Sequence, residues 1–201
     1  MAELEIIQPH EVAAAIDHER ESREFRPTAM IVAYTVLDPE TGLISVASIV
    51  SSKKKRKGEG PNGWWLPQGG TDRKDKGAGD WETPEETAAR ELPEEIKGGV
   101  EPAKPEDFTL LGAIRDPSSS SRDGYKVNGK GGKLLIACSV PVVSNGRLKP
   151  NRKENIAKAS WFEASVLQEI LQKNMERTPR KELKARFSIA MIDLVLENLA
   201  R

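Results

Sequence analysis

Apolar residues recur along the chain with two different periods, and the blocks they form predict an α/β protein. Residues 29–37 and 43–50 are rich in β-branched residues and flank a turn sequence at 38–42, which predicts a β-hairpin. Two later apolar runs, at residues 108–114 and 133–143, predict further strands. Apolar residues at helical spacing predict three helices, at residues 9–24, 163–174 and 180–199.

A fourth helix has the clearest start signal in the sequence. Thr83 can cap its N-terminus, Pro84 suits its first position, and Glu86 can complete a capping box. The glycine pair at residues 98–99 should end it. Inside this helix Pro93 removes one backbone hydrogen bond and crowds the preceding turn, which predicts a kink.

We expect residues 1–25 to form a helical extension and residues 26–201 to form a single domain. The chain of 201 residues is long enough for one domain with a sizeable core. The first helix is strongly charged and has only a weak apolar stripe around Val12 and Ile16. This helix is therefore expected to lie outside the core.

Composition narrows the class of protein. The 31 Lys and Arg residues balance 31 Asp and Glu residues, so no overall basic field favours duplex nucleic acid. No apolar stretch approaches the roughly 20 residues that span a bilayer, and the N-terminus lacks a signal pattern. The single cysteine, Cys138, lies in an apolar run and should be a buried thiol. We expect a cytoplasmic protein without a membrane partner, and the sequence leaves the oligomeric state open.

Three carboxylates are concentrated on one face of the capped helix. Glu91, Glu94 and Glu95 are spaced i, i+3 and i+4, which places them within roughly 60° of one another around the helix axis. Such like charges repel, and a hard divalent cation such as magnesium, which prefers oxygen ligands, would offset the repulsion. The alternative is a solvated acidic face that Arg90 and Lys97 balance.

The same segment resembles the Nudix box, G-x5-E-x7-R-E-U-x-E-E-x-G-U, where U is aliphatic. The chain has Gly70, Glu82 and, after seven intervening residues, the run at 90–95, R-E-L-P-E-E. Eleven residues instead of five separate Gly70 from Glu82, and Lys97 replaces the closing glycine. The resemblance implies an α/β/α sandwich with a mixed β-sheet and flanking C-terminal helices. It also implies that Arg90 belongs to the catalytic apparatus and pairs with Glu82 to brace the loop at Gly70.

The resemblance further implies a metal site and a reaction. In Nudix hydrolases these positions bind Mg²⁺ or Mn²⁺, so Glu91, Glu94, Glu95 and the carbonyl of Gly69 would be the ligands. The reaction is hydrolysis of a phosphoanhydride in a nucleoside diphosphate linked to another group, and a metal would neutralise phosphate charge and activate water. The general base is left open between Glu91, Glu94 and, on a later loop as in some relatives, Glu154.

The segments at residues 25–27 and 64–72 look like those of dinucleoside polyphosphate hydrolases and RNA 5′-pyrophosphohydrolases. We expect four residues to contact a phosphorylated small molecule or an RNA 5′ end: Arg26, Trp65, Lys55 and Arg115. Trp65 would stack a base, with core packing as the alternative. The basic run at 53–57 suggests a diphosphoinositol polyphosphate as another substrate, or simply a solvated loop. A non-catalytic module that binds a phosphate ligand is the alternative from a different functional class.

Overall fold

We describe a computed structural model of the chain over residues 4–52, 63–72, 74, 80–101, 103–117 and 132–200. The α-helices within these residues are Val12–Ser22 (α1), Pro84–Glu95 (α2), Ala164–Arg177 (α3) and Glu182–Leu199 (α4). The strands are Phe25–Asp38 (β1), Leu43–Ser51 (β2), Gln68–Gly70 (β3), Ile96–Val100 (β4), Thr109–Asp116 (β5), Gly132–Pro141 (β6), Ser144–Pro150 (β7) and Ile156–Glu163 (β8). The predicted hairpin is therefore present as β1 and β2, and the two later apolar runs form β5 and β6.

The main sheet is mixed, as the resemblance implied. Its strand order is β5-β6-β1-β2-β8, and the short β3 also pairs with β1. The central pair, β1 with β6, is parallel, whereas the other pairs of this sheet are antiparallel. Along β1, Met30 lies opposite Gln68 of β3, while Tyr34 lies opposite Val46 of β2. The N-terminal half of β1 therefore holds the strand that leads into the Nudix-like segment.

Helices cover both faces of this sheet, which confirms the α/β/α sandwich. Successive strand residues point to opposite faces, and β1 supplies apolar side chains to both. On one face Ala29 and Ile31 share a core with Leu92 of α2. On the other face Met30 and Val32 pack with residues of α3 and α4: Leu167, Leu171, Phe187, Met191 and Val195.

The first helix also contributes to the core, so the expectation that it lies outside is wrong. Val12 and Ile16 of α1 are 0% and 4% exposed. They pack against Leu134 and Ile136 of β6, on the same face as α2. The apolar stripe of α1 is narrow, but it is sufficient because it meets a strand that is apolar at every position on that face.

Four strands were not anticipated from the sequence: the short β3, and β4, β7 and β8. Strands β4 and β7 form a separate two-stranded ladder with register shifts, and β8 adds an edge to the main sheet. The glycine pair at 98–99 lies inside β4, so it does not end α2, which already stops at Glu95. Cys138 is buried and free, and burial raises the pKa of its thiol. No helix in the described ranges is both long and apolar enough to span a membrane.

Candidate active site

The start of α2 is fixed by its own sequence. The hydroxyl of Thr83 accepts a hydrogen bond from the Glu86 amide at 3.2 Å, and the Glu86 carboxylate accepts one from the Thr83 amide at 2.8 Å. Pro84 occupies the first helical position. These contacts confirm the predicted capping box, and they set the rotation of the helix that presents the three glutamates.

Pro93 lies in the last turn of α2 and is exposed. The helix continues past it to Glu95, and the Ile96 amide still donates to the Leu92 carbonyl. Because so few residues follow Pro93, the ring interrupts little of the helical hydrogen-bond ladder. Glu94 and Glu95 therefore remain part of the same helix as Glu91.

Arg90 joins three segments of the chain. Its Nε donates to Glu82 Oε1 at 2.7 Å, and its Nη2 donates to Glu82 Oε2 at 2.9 Å. The same Nη2 donates to the carbonyl oxygen of Gly70 at 2.9 Å. A guanidinium held by a bidentate carboxylate and a carbonyl is geometrically well defined, so α2, the loop before it and β3 are fixed relative to one another.

Glu82 has further donors that favour its ionised form. The Asp72 amide and the Thr87 hydroxyl each donate to Glu82 Oε2 at 3.1 Å. Burial acts to raise the pKa of Glu82, but these donors and Arg90 outweigh it and hold the pKa below its ordinary value. The Glu82 carboxylate is thus charged throughout the neutral pH range, and it accepts these hydrogen bonds while largely shielded from solvent.

Arg90 also lies against two of the three clustered glutamates. Its Nη1 is 2.6 Å from Glu91 Oε1 and 3.2 Å from Glu94 Oε2. The Glu91 side chain is 15% exposed and that of Glu94 is 46% exposed. Burial raises the pKa of Glu91, Arg90 opposes that shift, and the nearby charge of Glu94 adds to it. The pair therefore combines a shielded carboxylate with a solvent-facing one.

Glu95 lies closest to β3. Its Oε2 accepts a hydrogen bond from the Gln68 amide at 2.9 Å. Burial raises the pKa of Glu95 to about 8, the Gln68 amide opposes the shift, and the charge of Glu91 increases it. A Cβ atom on Gly69 would collide with the carboxyl group of Glu91, which would have to move away. Glu91 and Glu95 thus both approach the backbone of β3.

The donor set fits a hard divalent cation in its chemistry. Carboxylate oxygens and a backbone carbonyl are the ligands magnesium prefers. Burial, with a smaller contribution from neighbouring carboxylates, raises the pKa of Glu91 and of Glu95. Because Glu91 approaches Gly69 closely, its carboxylate lies beside the backbone of β3. As oriented, however, no three Asp, Glu, His or Cys side chains of the described part of the chain surround a common point suited to a metal. The guanidinium of Arg90 lies against two of the three clustered glutamates, Glu91 and Glu94.

The loop that carries Glu154 is anchored to the end of α2 by Asn151, a residue that the sequence analysis missed. The Asn151 side-chain amide donates to the Glu94 carbonyl at 2.5 Å, and its backbone amide donates to the Glu95 carbonyl at 2.9 Å. Asn151 is 7% exposed. Glu154 lies three residues later, exposed, with its amide donating to the Asn151 carbonyl. Only the fold brings these segments together, because β7 pairs with β4, the strand that directly follows α2.

The expected substrate residues occupy different environments. Arg26 lies beside β3, where a Cβ atom on Gly70 would collide with its guanidinium, and 3.7 Å from Asp72. Arg115 pairs with the buried Glu19 of α1 at 2.7 Å and so holds α1 on the sheet, while its phosphate contact stays a prediction. Trp65 packs against the core with two lysine ammonium groups over its ring. Lys55 and the basic run lie outside the described residues.

Comparison with known proteins gives a consistent fold. The family model described as the NUDIX domain matches residues 26–187. No curated protein sequence matches the chain closely.

Among solved structures, the MutT protein of Methanosarcina mazei Go1 aligns with a TM-score of 0.51 and 14% identity over 85% of this chain and 94% of that one. The C. elegans Ap4A hydrolase, in a binary complex, aligns over 83% of this chain and 97% of that one, with 17% identity and a TM-score of 0.46. A MutT/nudix family protein from Enterococcus faecalis aligns over 70% of this chain, with 17% identity and a TM-score of 0.41. This chain spans 44% of the length of that protein.

The family match covers most of the chain, from the start of β1 into α4. Its range contains the capped helix, the bidentate Arg90–Glu82 pair and the clustered glutamates. The sequence motif, the mixed sheet between helices and the family model therefore agree. The chain belongs to the Nudix family of phosphoanhydride hydrolases.

Proposed function

We propose that this chain is a magnesium-dependent pyrophosphohydrolase that cuts a phosphoanhydride in a nucleoside diphosphate linked to another group. The observation that carries the proposal is the Arg90 brace, whose hydrogen bonds to Glu82 and Gly70 tie the preceding loop and β3 to the helix that carries Glu91 and Glu94. A preformed scaffold of this kind holds acidic groups close together without requiring each substrate to organise them. Residues 26–201 would form the catalytic domain, with residues 1–25 as a helical extension packed on it.

Four groups would hold the metal: the carboxylates of Glu91, Glu94 and Glu95 and the backbone carbonyl of Gly69. Mg²⁺, or Mn²⁺ in its place, would neutralise phosphate charge and lower the pKa of a bound water. Binding the cation requires the carboxylates in their ionised form, so the raised pKa of Glu95, about 8, would fall when the ion binds. Arg90 would then lie between the brace and the ligands, stabilising both.

A carboxylate near this cluster would accept the proton of the attacking water. Glu91 and Glu94 lie on the helix itself, and Glu94 is the more exposed of the two. Glu154 is the third possibility, because Asn151 fixes its loop to the carbonyl groups of Glu94 and Glu95. A general base has to reach the water directly or through one intervening water. Glu91 and Glu94 lie in the last two turns of α2, and the loop of Glu154 is bonded to the carbonyl groups at the end of that helix.

The substrate is proposed to be a dinucleoside polyphosphate or an RNA 5′ end. Arg26 of β1, whose guanidinium lies near Gly70, would contact a phosphate of this substrate, and the basic run at 53–57 keeps a diphosphoinositol polyphosphate as the alternative. A second candidate function is a module that binds a phosphate ligand without cleaving it. The position of the Arg90 guanidinium against Glu91 and Glu94 favours that candidate, because the same carboxylates must turn towards a metal for catalysis.

The experiment that tests this proposal is product analysis with the purified chain and magnesium. The panel contains dinucleoside polyphosphates, nucleotide sugars, nucleoside triphosphates, 5′-triphosphate and capped RNA, and diphosphoinositol polyphosphates. We expect cleavage of at least one member, with nucleoside monophosphate or orthophosphate as a product. Binding of a panel member without cleavage would favour the non-catalytic module, and a Glu91→Gln variant serves as the control for contaminating hydrolases.

A further inference from the structure

A group of polar residues lies on the α4 face of the sheet, at the end where β3 begins. Met30 points to this face, because it packs with Phe187 and Met191 of α4. Paired residues on neighbouring strands point the same way, so Gln68, opposite Met30, also faces α4. The same rule holds for Lys133, opposite Arg26, and Arg26 lies four residues before Met30 on β1.

Lys184 lies over this polar region, on the buried stripe of α4. It is one helical turn before Ser188, whose hydroxyl donates to the Lys184 carbonyl at 2.9 Å. Lys184 is only 9% exposed, and Phe187 and Met191 on the same buried stripe are apolar, so a charged residue is unexpected there. An ammonium group at a core position is costly unless something compensates its charge.

No acidic side chain in the described ranges forms an ion pair with Lys184. The Lys184 Nζ lies 4.9 Å from the centre of the Trp65 ring, and the Nζ of Lys181 lies 5.2 Å from the same centre. Burial lowers the pKa of Lys184 to about 7; the charges of Lys133 and Lys181 lower it further, and Glu95 and Asp116 oppose them. Three ammonium groups thus lie near one another, with one of them nearly enclosed.

Gln68 adds an independent sign of a missing ligand. Its side-chain oxygen Oε1 is buried and has no hydrogen-bond donor. Buried acceptors are nearly always satisfied, so this one indicates an absent water or a hydroxyl of a bound molecule. The backbone amide of Gln68 donates to Glu95, so the residue that carries the unsatisfied atom also contacts a proposed metal ligand.

We propose that Lys184, together with Lys133 and Lys181, forms an anion subsite that binds a phosphate group of the substrate between Trp65 and Glu95. This proposal deepens the proposed function and rests on it. A lysine ammonium binds phosphate as a compact point charge, and partial burial strengthens that attraction because water screens it less. The subsite lies on the α4 side of β3, whereas Arg90 and Glu91 approach β3 from α2. A phosphate chain would therefore extend from the glutamates towards α4.

The test is a calorimetric titration of the full chain with inorganic pyrophosphate in EDTA, so that the metal site does not contribute. Lys184→Met keeps the aliphatic stem and removes the charge, and we expect it to weaken pyrophosphate binding at least about tenfold. Lys184→Arg keeps the charge and should stay within about threefold of the parent. The matched control is Lys173→Met on α3, where the lysine is 61% exposed and pairs with Glu169.

A purely structural lysine would give a different pattern. In that case Lys184→Met would change the melting temperature and leave pyrophosphate affinity equal to that of Lys173→Met, which would overturn the subsite. Absence of pyrophosphate binding to the parent would overturn it as well. Should Lys184→Met fail to fold, Lys181→Met takes its place, with a loss of affinity expected and an unchanged affinity counting against the proposal.

The substrate panel separates this proposal from the proposed function. Weakened pyrophosphate binding in Lys184→Met, with no panel member cleaved by the parent, would retain the subsite and reject the hydrolase. Cleavage by the parent, with equal pyrophosphate affinity in parent and variant, would retain the hydrolase and reject the subsite. When both hold, we expect Lys184→Met to raise KM on the cleaved substrate, with kcat changed by a smaller factor.

Discussion

Arg90 and Glu82 form two parallel hydrogen bonds, of 2.7 and 2.9 Å, and the same guanidinium reaches the Gly70 carbonyl. Glu82 is 12% exposed and Arg90 is 27% exposed, so solvent screens this pair less than it screens the surface ion pairs. The pair fixes the position of the loop that precedes α2. Its loss should therefore affect both the fold and the reaction.

Glu82→Gln should lower stability and turnover together. Glutamine keeps the shape but loses the charge-assisted bidentate contact, which we expect to cost about 2 kcal/mol of unfolding free energy. The measurement is denaturant unfolding and kcat/KM, with Glu106→Gln, a 69% exposed residue, as the control. A Glu82→Gln protein as stable and as active as the Glu106→Gln protein would contradict the brace.

Arg115→Met should destabilise the chain without raising KM. It leaves the fully buried carboxylate of Glu19 with fewer donors, namely the Phe25 amide at 3.1 Å and the Ser22 hydroxyl at 3.3 Å. We expect the free energy of unfolding to fall by about 2 kcal/mol. The loss is no larger because Arg115 itself is 42% exposed, so solvent screens its charge. Arg147→Met, at an exposed position, is the control. A raised KM at unchanged stability would instead support the predicted contact between Arg115 and the substrate.

The metal-free protein should become less stable as pH rises from about 4.5 to about 7 because of Glu95. Its pKa of about 8 in the fold exceeds the ordinary 4.5, so in this range the folded state keeps a proton that the unfolded state releases. Above about 7 the lowered pKa of Lys184 acts in the opposite direction. Melting temperatures in EDTA should thus diverge between parent and Glu95→Gln as pH rises, and a constant difference would contradict this assignment.

Pro93→Ala should stabilise α2 and leave the enzyme active. Alanine supplies the missing amide donor and removes the ring, and a gain of about 1 kcal/mol is expected at this exposed position. The measurement compares the melting temperature and kcat of the variant with those of the parent. Loss of turnover at unchanged or higher stability would show that the proline itself positions Glu94 and Glu95.

Local signals predicted most of the secondary structure, because capping boxes, turns and apolar periodicity act over a few residues. The Thr83 cap, the β1–β2 hairpin and the C-terminal helices are of this kind. Strand β4 contains two glycines and β7 pairs with it through register shifts, so neither has a clear strand pattern in the sequence. Only tertiary pairing identifies them.

Contacts between distant segments could not be anticipated in the same way. Glu19 and Arg115 are 96 residues apart, and Asn151 reaches the Glu94 carbonyl across 57 residues. Lys184 reads as one charged residue in an amphipathic helix, and only the fold shows that it lies on the buried stripe over Trp65. Sequence thus located the box glutamates, whereas their surroundings depend on packing.

The most direct test of the metal-dependent hydrolase is kcat as a function of free Mg²⁺ for the parent, Glu94→Gln and Glu95→Gln. We expect EDTA to abolish turnover by the parent and Mg²⁺ or Mn²⁺ to restore it. At saturating Mg²⁺, each variant should turn over at least about a hundredfold more slowly than the parent while remaining folded. Parental activity that survives exhaustive chelation, or parent-like turnover in both variants, would contradict it.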